Sequence, residues 1–296
     1  MSAIPGRFGA VLTAMATPFN ADGSLDLDGA QTLAKYLVEH GNDGIVVAGT
    51  TGEAPTLTDD EQRDLCRAVR EAVTVPVIAG ATSNDTAHSV HLTKAITATA
   101  VDAILAQTPY YNRPSQAGIS AHFRAIAAAT ELPVMLYDIP IRTGRKIAHD
   151  TLVELSRDVP NIVAVKDAVS DPALSAALVA AAPSLELYSG EDKMTLALLA
   201  VGACGTVSVA SHWNGLQQAE MLAAFAKGDV QTAREINARL IESWDFEGSE
   251  AAPNPIPTKA MLRVMGLPGG PCRLPMGPEP AGLEARAREV LANLGG

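Results

Sequence analysis

Aromatic side chains are scarce in this chain of 296 residues: they make up 4%, so the interior has to be filled mainly by Ala, Val, Leu and Ile. That mixture suits strands alternating with Ala-rich helices better than a β-sandwich. Cysteine is rare as well. Cys66, Cys204 and Cys272 show neither CxxC spacing nor a framework of pairs, and they read as reduced thiols. Basic charge is outnumbered, and a net charge of −11 argues against a nucleic-acid partner, which needs a concentrated basic surface. No apolar run approaches the ~18 residues of a membrane span. The longest lies around "LALLAVGAC". The start, "MSAIPGRFGA", lacks the basic-then-apolar pattern of a secretion signal. A cytoplasmic protein with no membrane partner is therefore expected.

What the chain does have is rhythm. Short apolar runs recur at "GAVLTAM", "GIVVAG", "VPVIAG", "VDAILAQ", "LPVMLYD", "NIVAVKD", "LELYSG" and "GTVSVAS". Each is rich in β-branched or Leu residues and bounded by Gly, Pro, Asp or Asn, as a buried parallel strand should be. The segments between them carry helical spacing, for example "DLDGAQTLAKYLVEH" and "TDDEQRDLCRAVREAV". In the latter, Thr58 followed three residues on by Glu61 reads as a capping box. Eight such units predict an α/β fold, a closed (β/α)8 TIM barrel over 1–229. A small C-terminal helical region, interrupted by "APNPIP" and "GLPGGPCRLP", is expected over 230–296. An open doubly wound sheet is the runner-up, but it usually places a glycine-rich phosphate turn where this chain reads "TAMATPFNADG".

In a barrel, chemistry collects at the C-terminal ends of the strands. Those ends read "GTTGEAP", "TPYYNRP", "YDIPIRTG", Lys166-Asp167 and "SGED". Of seven lysines, only Lys166 continues a strand-like run; Lys35, Lys94, Lys193, Lys227 and Lys259 sit in polar or helix-like contexts. An ammonium in a dry mouth is disfavoured, which leaves free amine able to attack a carbonyl. The competing reading is a lysine that snorkels into solvent or pairs with Asp167. Tyr137, on the preceding strand, could shuttle protons for that amine or simply pack in the barrel. Arg142 reads as a loop residue over the mouth, where its fork could clamp a carboxylate. Tyr110 and Tyr111 look like an exposed aromatic pair. His88 and His91 have no third ligand at sensible spacing, so no metal is expected.

With those residues placed, "GTTGE", "TPYYNRPSQ", "YDIPIRTG" and "VAVKDA" match in order and spacing, and the chain resembles the dihydrodipicolinate synthase family of pyruvate-dependent Schiff-base lyases. The resemblance runs from Gly6 to at least Trp213 and more weakly through the tail. It implies a covalent imine between Lys166 and pyruvate, with no cofactor, and condensation with aspartate 4-semialdehyde in lysine and diaminopimelate biosynthesis. It also implies a proton relay of Tyr137, Thr50 and Tyr111, the last reaching across from a neighbouring subunit of a homotetramer built as a dimer of dimers. Thr51 matches the residue holding the pyruvate carboxylate, and Arg142 the one binding the semialdehyde carboxylate. Gly190 and the main chain of Val207 join the substrate-binding set. Asp138 and Ile141 depart from the commoner Asn-Val-Pro-Ser pattern at this point. Two alternatives stay open: another pyruvate-dependent aldolase or lyase with a sugar-acid or aromatic acceptor, and a non-catalytic binding barrel.

Overall fold

The computed structural model describes residues 6–295. Part of the "MSAIPGRFGA" start therefore lies outside the described residues. Strands β1 (Val11–Ala14), β2 (Gly44–Val47), β3 (Val77–Gly80), β4 (Ala103–Gln107), β5 (Val134–Asp138), β6 (Ile162–Asp167), β7 (Glu186–Ser189) and β8 (Gly205–Ser208) pair in chain order. All pairs are parallel, and β8 returns to β1 to close the barrel. All eight apolar runs read from the sequence are these strands.

The helices between and after the strands are α1 (Leu27–Glu39), α2 (Asp59–Ala72), α3 (Thr86–Thr97), α4 (Gln116–Ala127), α5 (Pro140–Thr143), α6 (His149–Asp158), α7 (Pro172–Ala181), α8 (Thr195–Ala200) and α9 (Ser211–Ala226). Three more, α10 (Val230–Asp245), α11 (Ile256–Val264) and α12 (Leu283–Leu294), form the tail. Local chemistry explains where they start. Asp26 accepts the Gly29 N–H at the head of α1, which then buries Ala30, Leu33, Ala34 and Leu37 at the spacing of one helical face. The capping box of α2 is complete: Thr58 Oγ1 accepts the Glu61 N–H at 3.2 Å, and Glu61 Oε2 accepts the Thr58 N–H at 2.9 Å. No described helix is long and apolar enough to cross a membrane.

Two apolar layers result. Leu12, Val46, Ile78, Leu105, Met135, Ala164 and Val207 fill the barrel, while residues such as Val11, Ile45, Val47, Ile104 and Val165 face the helices. Each fully buried Val, Leu or Ile stabilises by roughly 1.5–3 kcal/mol relative to exposure. Within the interior layer, Tyr137 and Lys166 stand one residue before the C-terminal ends of β5 and β6, at the mouth, whereas the hydroxyl of Tyr188 turns to the opposite end and accepts the Phe8 N–H.

Candidate active site

Lys166 and Tyr137 are neighbours across the β5–β6 pairing, each 4% exposed. Strand alternation sends both inward while Val165 and Asp167 face the helices. The Lys166 Nζ stands 4.3 Å from the centre of the Tyr137 ring, within cation–π range. The pairing of Lys166 with Asp167 weighed above does not form. Asp167 accepts instead from the Val169 N–H and the Ser175 hydroxyl on the outer side.

Gly190 lies where the lysine stem passes. A Cβ built there would stand 2.9 Å from Lys166 Cγ and 3.0 Å from Ala168 Cβ. Any side chain at 190 would push against the amine's stem. Val207, buried on β8, completes this side of the interior.

The loop after β2 brings Thr50 and Thr51 over the mouth. Thr51 is 2% exposed, and its Oγ1 accepts from Asn254 Nδ2 at 2.9 Å. The turn is pinned from below, where Thr17 Oγ1 donates to the Gly52 carbonyl at 2.6 Å. Glu53, next in line, takes a left-handed backbone at φ 54°, uncommon for a side-chain-bearing residue. Glu53 Oε2 accepts the Arg273 N–H at 2.8 Å, and Oε1 meets Lys259 Nζ at 2.6 Å. The loop geometry therefore depends on residues of the tail.

A cavity of about 270 Å³ opens beside the threonines, lined by Thr50, Tyr110, Ile139, Arg142, Asn254 and Met276 among others. Arg142 belongs to one-turn helix α5 rather than to a plain loop, because Pro140 starts the turn and Gly144, at φ 70°, ends it. Its guanidinium is exposed and, among the described residues, no carboxylate pairs with it. Ile141 is 88% exposed and absent from the lining, whereas Ile139 forms part of the wall.

The tyrosine pair splits. Tyr110 lines the cavity, while Tyr111, at φ 71° and 89% exposed, points away from its own barrel. A single chain thus gathers Lys166, Tyr137, Thr50, Thr51, Arg142, Gly190 and Val207 around the mouth, but not Tyr111. Among the described residues, no group of three or more His, Cys, Asp or Glu side chains could hold a metal. His88 Nε2 is instead 2.9 Å from Asp59 Oδ1.

Three contributors were not read from the sequence. Asn254 and Glu53 carry no local signal strong enough to reveal their partners. Lys259 is 1% exposed; its placement in a polar or helix-like context was right about the helix and wrong about the surroundings. The signal was present in "IPTKAML", a charge within an otherwise apolar helix.

Asp138, behind Tyr137, is a fourth unusual group. Burial pushes its carboxyl up to about 7, against the pull of the Ile147 N–H and Lys146 and with a further push from Asp167. An unfolded aspartate titrates near ~4, so between about pH 4 and about pH 7 the folded state holds a proton that the unfolded chain has released. Stability must fall as pH rises through that window. Asp138→Asn keeps an acceptor for the Ile147 N–H and removes the charge. The variant is expected to match the parent in urea unfolding at about pH 4 and to exceed it by on the order of 2–4 kcal/mol at about pH 8. Equal stability at both pH values would refute the assignment.

A closed (β/α)8 barrel with an amine, a phenol and a hydroxyl-bearing loop at the C-terminal ends of its strands has the architecture of a barrel enzyme acting on carbonyl compounds. Comparison with known proteins narrows the class. Residues 7–292 match the model of the Dihydrodipicolinate synthetase family. A 4-hydroxy-tetrahydrodipicolinate synthase of Acidothermus cellulolyticus is 50% identical over 293 residues, 98% of this chain and 94% of that protein. One from Moorella thermoacetica is 49% identical over 91% of this chain and 92% of its own length. The crystal structure of a dihydrodipicolinate synthase from Bacillus anthracis superposes with a TM-score of 0.92 at 44% identity, covering 96% of this chain and 98% of that one. The chain belongs to the dihydrodipicolinate synthetase family.

Proposed function

We infer that the chain is a carbon–carbon-condensing lyase that joins pyruvate to aspartate 4-semialdehyde, giving 4-hydroxy-tetrahydrodipicolinate for lysine and diaminopimelate biosynthesis. The observation that carries the chemistry is the buried Lys166 amine beside the Tyr137 ring at the closed mouth. The amine attacks the ketone carbon of pyruvate, and loss of water leaves an imine. Loss of a methyl proton converts the imine to an enamine, whose carbon adds to the semialdehyde's aldehyde. The semialdehyde's own amine then displaces Lys166 and closes the ring. Tyr137 and Thr50 carry protons in these steps, with Tyr111 of a second copy completing the relay. The exposure of Tyr111 and Ile141, 89% and 88%, supports burial against another copy in a homotetramer. A structure of a monomeric dihydrodipicolinate synthase variant, 34% identical with a TM-score of 0.92, shows that assembly varies among relatives. No cofactor is needed, because the imine itself is the electron sink. The test is a coupled assay supplying both substrates. Turnover of pyruvate only with a sugar-acid or aromatic acceptor would favour another lyase of this type.

The acceptor end gives a separate prediction. Arg142 lines the cavity and, among the described residues, no carboxylate pairs with it, so its fork suits the semialdehyde carboxylate. Arg142→Ala removes a charge-assisted contact of about 1.5–3 kcal/mol, which is a roughly ten- to hundredfold rise in the semialdehyde KM. Borohydride trapping of pyruvate should be unchanged. An equal loss for both substrates would instead make Arg142 a structural residue.

A further inference from the structure

Two residues of the tail and one of the loop after β2 form a directed line of hydrogen bonds that ends at the mouth. Thr258, fully buried in the first turn of α11, donates its hydroxyl proton to Asn254 Oδ1 at 3.1 Å. With its oxygen taken, the amide presents Nδ2 to Thr51, whose Oγ1 accepts at 2.9 Å. A hydroxyl has one proton and two lone pairs. Asn254 fills one of the lone pairs, and among the described residues no acceptor takes the proton. The result is a buried O–H donor with its direction set from behind. Asn254 also lines the cavity that holds Thr50 and Arg142.

We propose that Asn254 is a positioning residue that forces the Thr51 hydroxyl to act as a donor toward the carboxylate of the keto-acid substrate. The proposal rests on the reading that Thr51 holds the pyruvate carboxylate and deepens it by explaining why the hydroxyl proton points there. Hydrogen bonds in series with one donor-to-acceptor sense strengthen one another, so the polarised Thr51 is a better anion donor than an isolated hydroxyl. Four backbone-distant contacts of the tail with the same loop, through Asn254, Lys259 and Arg273, hold the arrangement in place.

Reversing the direction is the decisive perturbation. Asn254→Asp has nearly the same shape but, when ionised, can only accept. It would take the protons of both Thr258 and Thr51 and turn the Thr51 hydroxyl away from the substrate. Asn254→Ala leaves the hydroxyl merely unguided. We therefore expect the pyruvate KM to rise about 30- to 100-fold in Asn254→Asp and about 3- to 10-fold in Asn254→Ala, with smaller changes in kcat. A negative charge near an anionic substrate would also raise KM, and Thr51→Val separates the two effects. In that background there is no hydroxyl to redirect, so adding Asn254→Asp should raise KM by no more than about threefold. Retention of the full penalty there would overturn the proposal, as would equal values for Asn254→Asp and Asn254→Ala. Should Asn254→Asp not fold, Thr258→Val takes its place. It frees the amide to flip and should raise the pyruvate KM about threefold, with no effect in Thr51→Val. Borohydride trapping of pyruvate on the parent protein is run alongside. If the parent is not labelled at Lys166, the functional reading fails; if it is labelled and the variants are alike, only the positioning role fails.

Discussion

Lys166→Ala is expected to lower turnover by on the order of 10⁴-fold or more, equivalent to ~5.5 kcal/mol of lost transition-state stabilisation. It should also eliminate the adduct that borohydride traps from pyruvate. The reason is the uniqueness of this amine at the mouth. Lys166 is 4% exposed and lies against Tyr137. Lys259, the other deeply buried lysine, is held by Glu53. Lys146 lies on the outer side of the barrel beside Asp138 and Asp167. Covalent catalysis needs the nucleophile within bonding reach of the substrate carbonyl, and neither of these amines can take the place of Lys166. In the parent protein, the label should fall on the peptide containing "VAVKDA". Label on a different lysine peptide would falsify the imine assignment, whatever the activity of the variant.

The largest expected effect on stability belongs to Lys259→Met. Lys259 and Glu53 side chains are 1% and 2% exposed, with Nζ 2.6 Å from Oε1. Nζ also donates to the Pro271 carbonyl at 2.8 Å and lies 4.1 Å from the centre of the Phe19 ring. Burial pushes the lysine below its usual range against the pull of Glu53. A buried pair of this kind contributes little net stability, but removing one partner leaves a charge with nothing to compensate it, at a cost of about 3–5 kcal/mol. Lys259→Met preserves the stem's volume and should destabilise by that amount in urea unfolding. The double variant Lys259→Met, Glu53→Gln removes both charges and should recover at least half of the loss, a non-additivity expected of direct partners. Additive losses would show that the lysine stabilises through its stem and the Pro271 contact instead. Because Glu53 holds a left-handed backbone directly after Thr50-Thr51-Gly52, the single variant should also impair pyruvate trapping before it unfolds.

Much of this protein was determined by short-range pattern. The strand runs, their glycine and proline boundaries, and the capping box of α2 are local physics, and each formed where the sequence placed it. Lys166 was legible for the same reason: an ammonium ending a β-branched run is costly unless it is used. Arg142 was placed over the mouth correctly, although a proline before it and a glycine after it make a one-turn helix there.

Other features had no local signature. Strands buried on both faces show no alternation of polar and apolar residues, so barrel closure alone decided that Tyr137 and Lys166 face inward and Asp138 and Asp167 outward. Tyr110 and Tyr111 are adjacent and chemically alike, and only the turn at Tyr111, with φ 71°, sends them in different directions. Asn254 meets Thr51 across 203 residues, and Arg273 meets Glu53 across 220. Propensity and periodicity act over a few residues, whereas these contacts exist only after the tail has packed over the mouth. The sequence by itself therefore determined the elements and singled out Lys166 as the strand-end amine; tertiary packing decided which groups orient the threonine loop and which charge is buried to hold it.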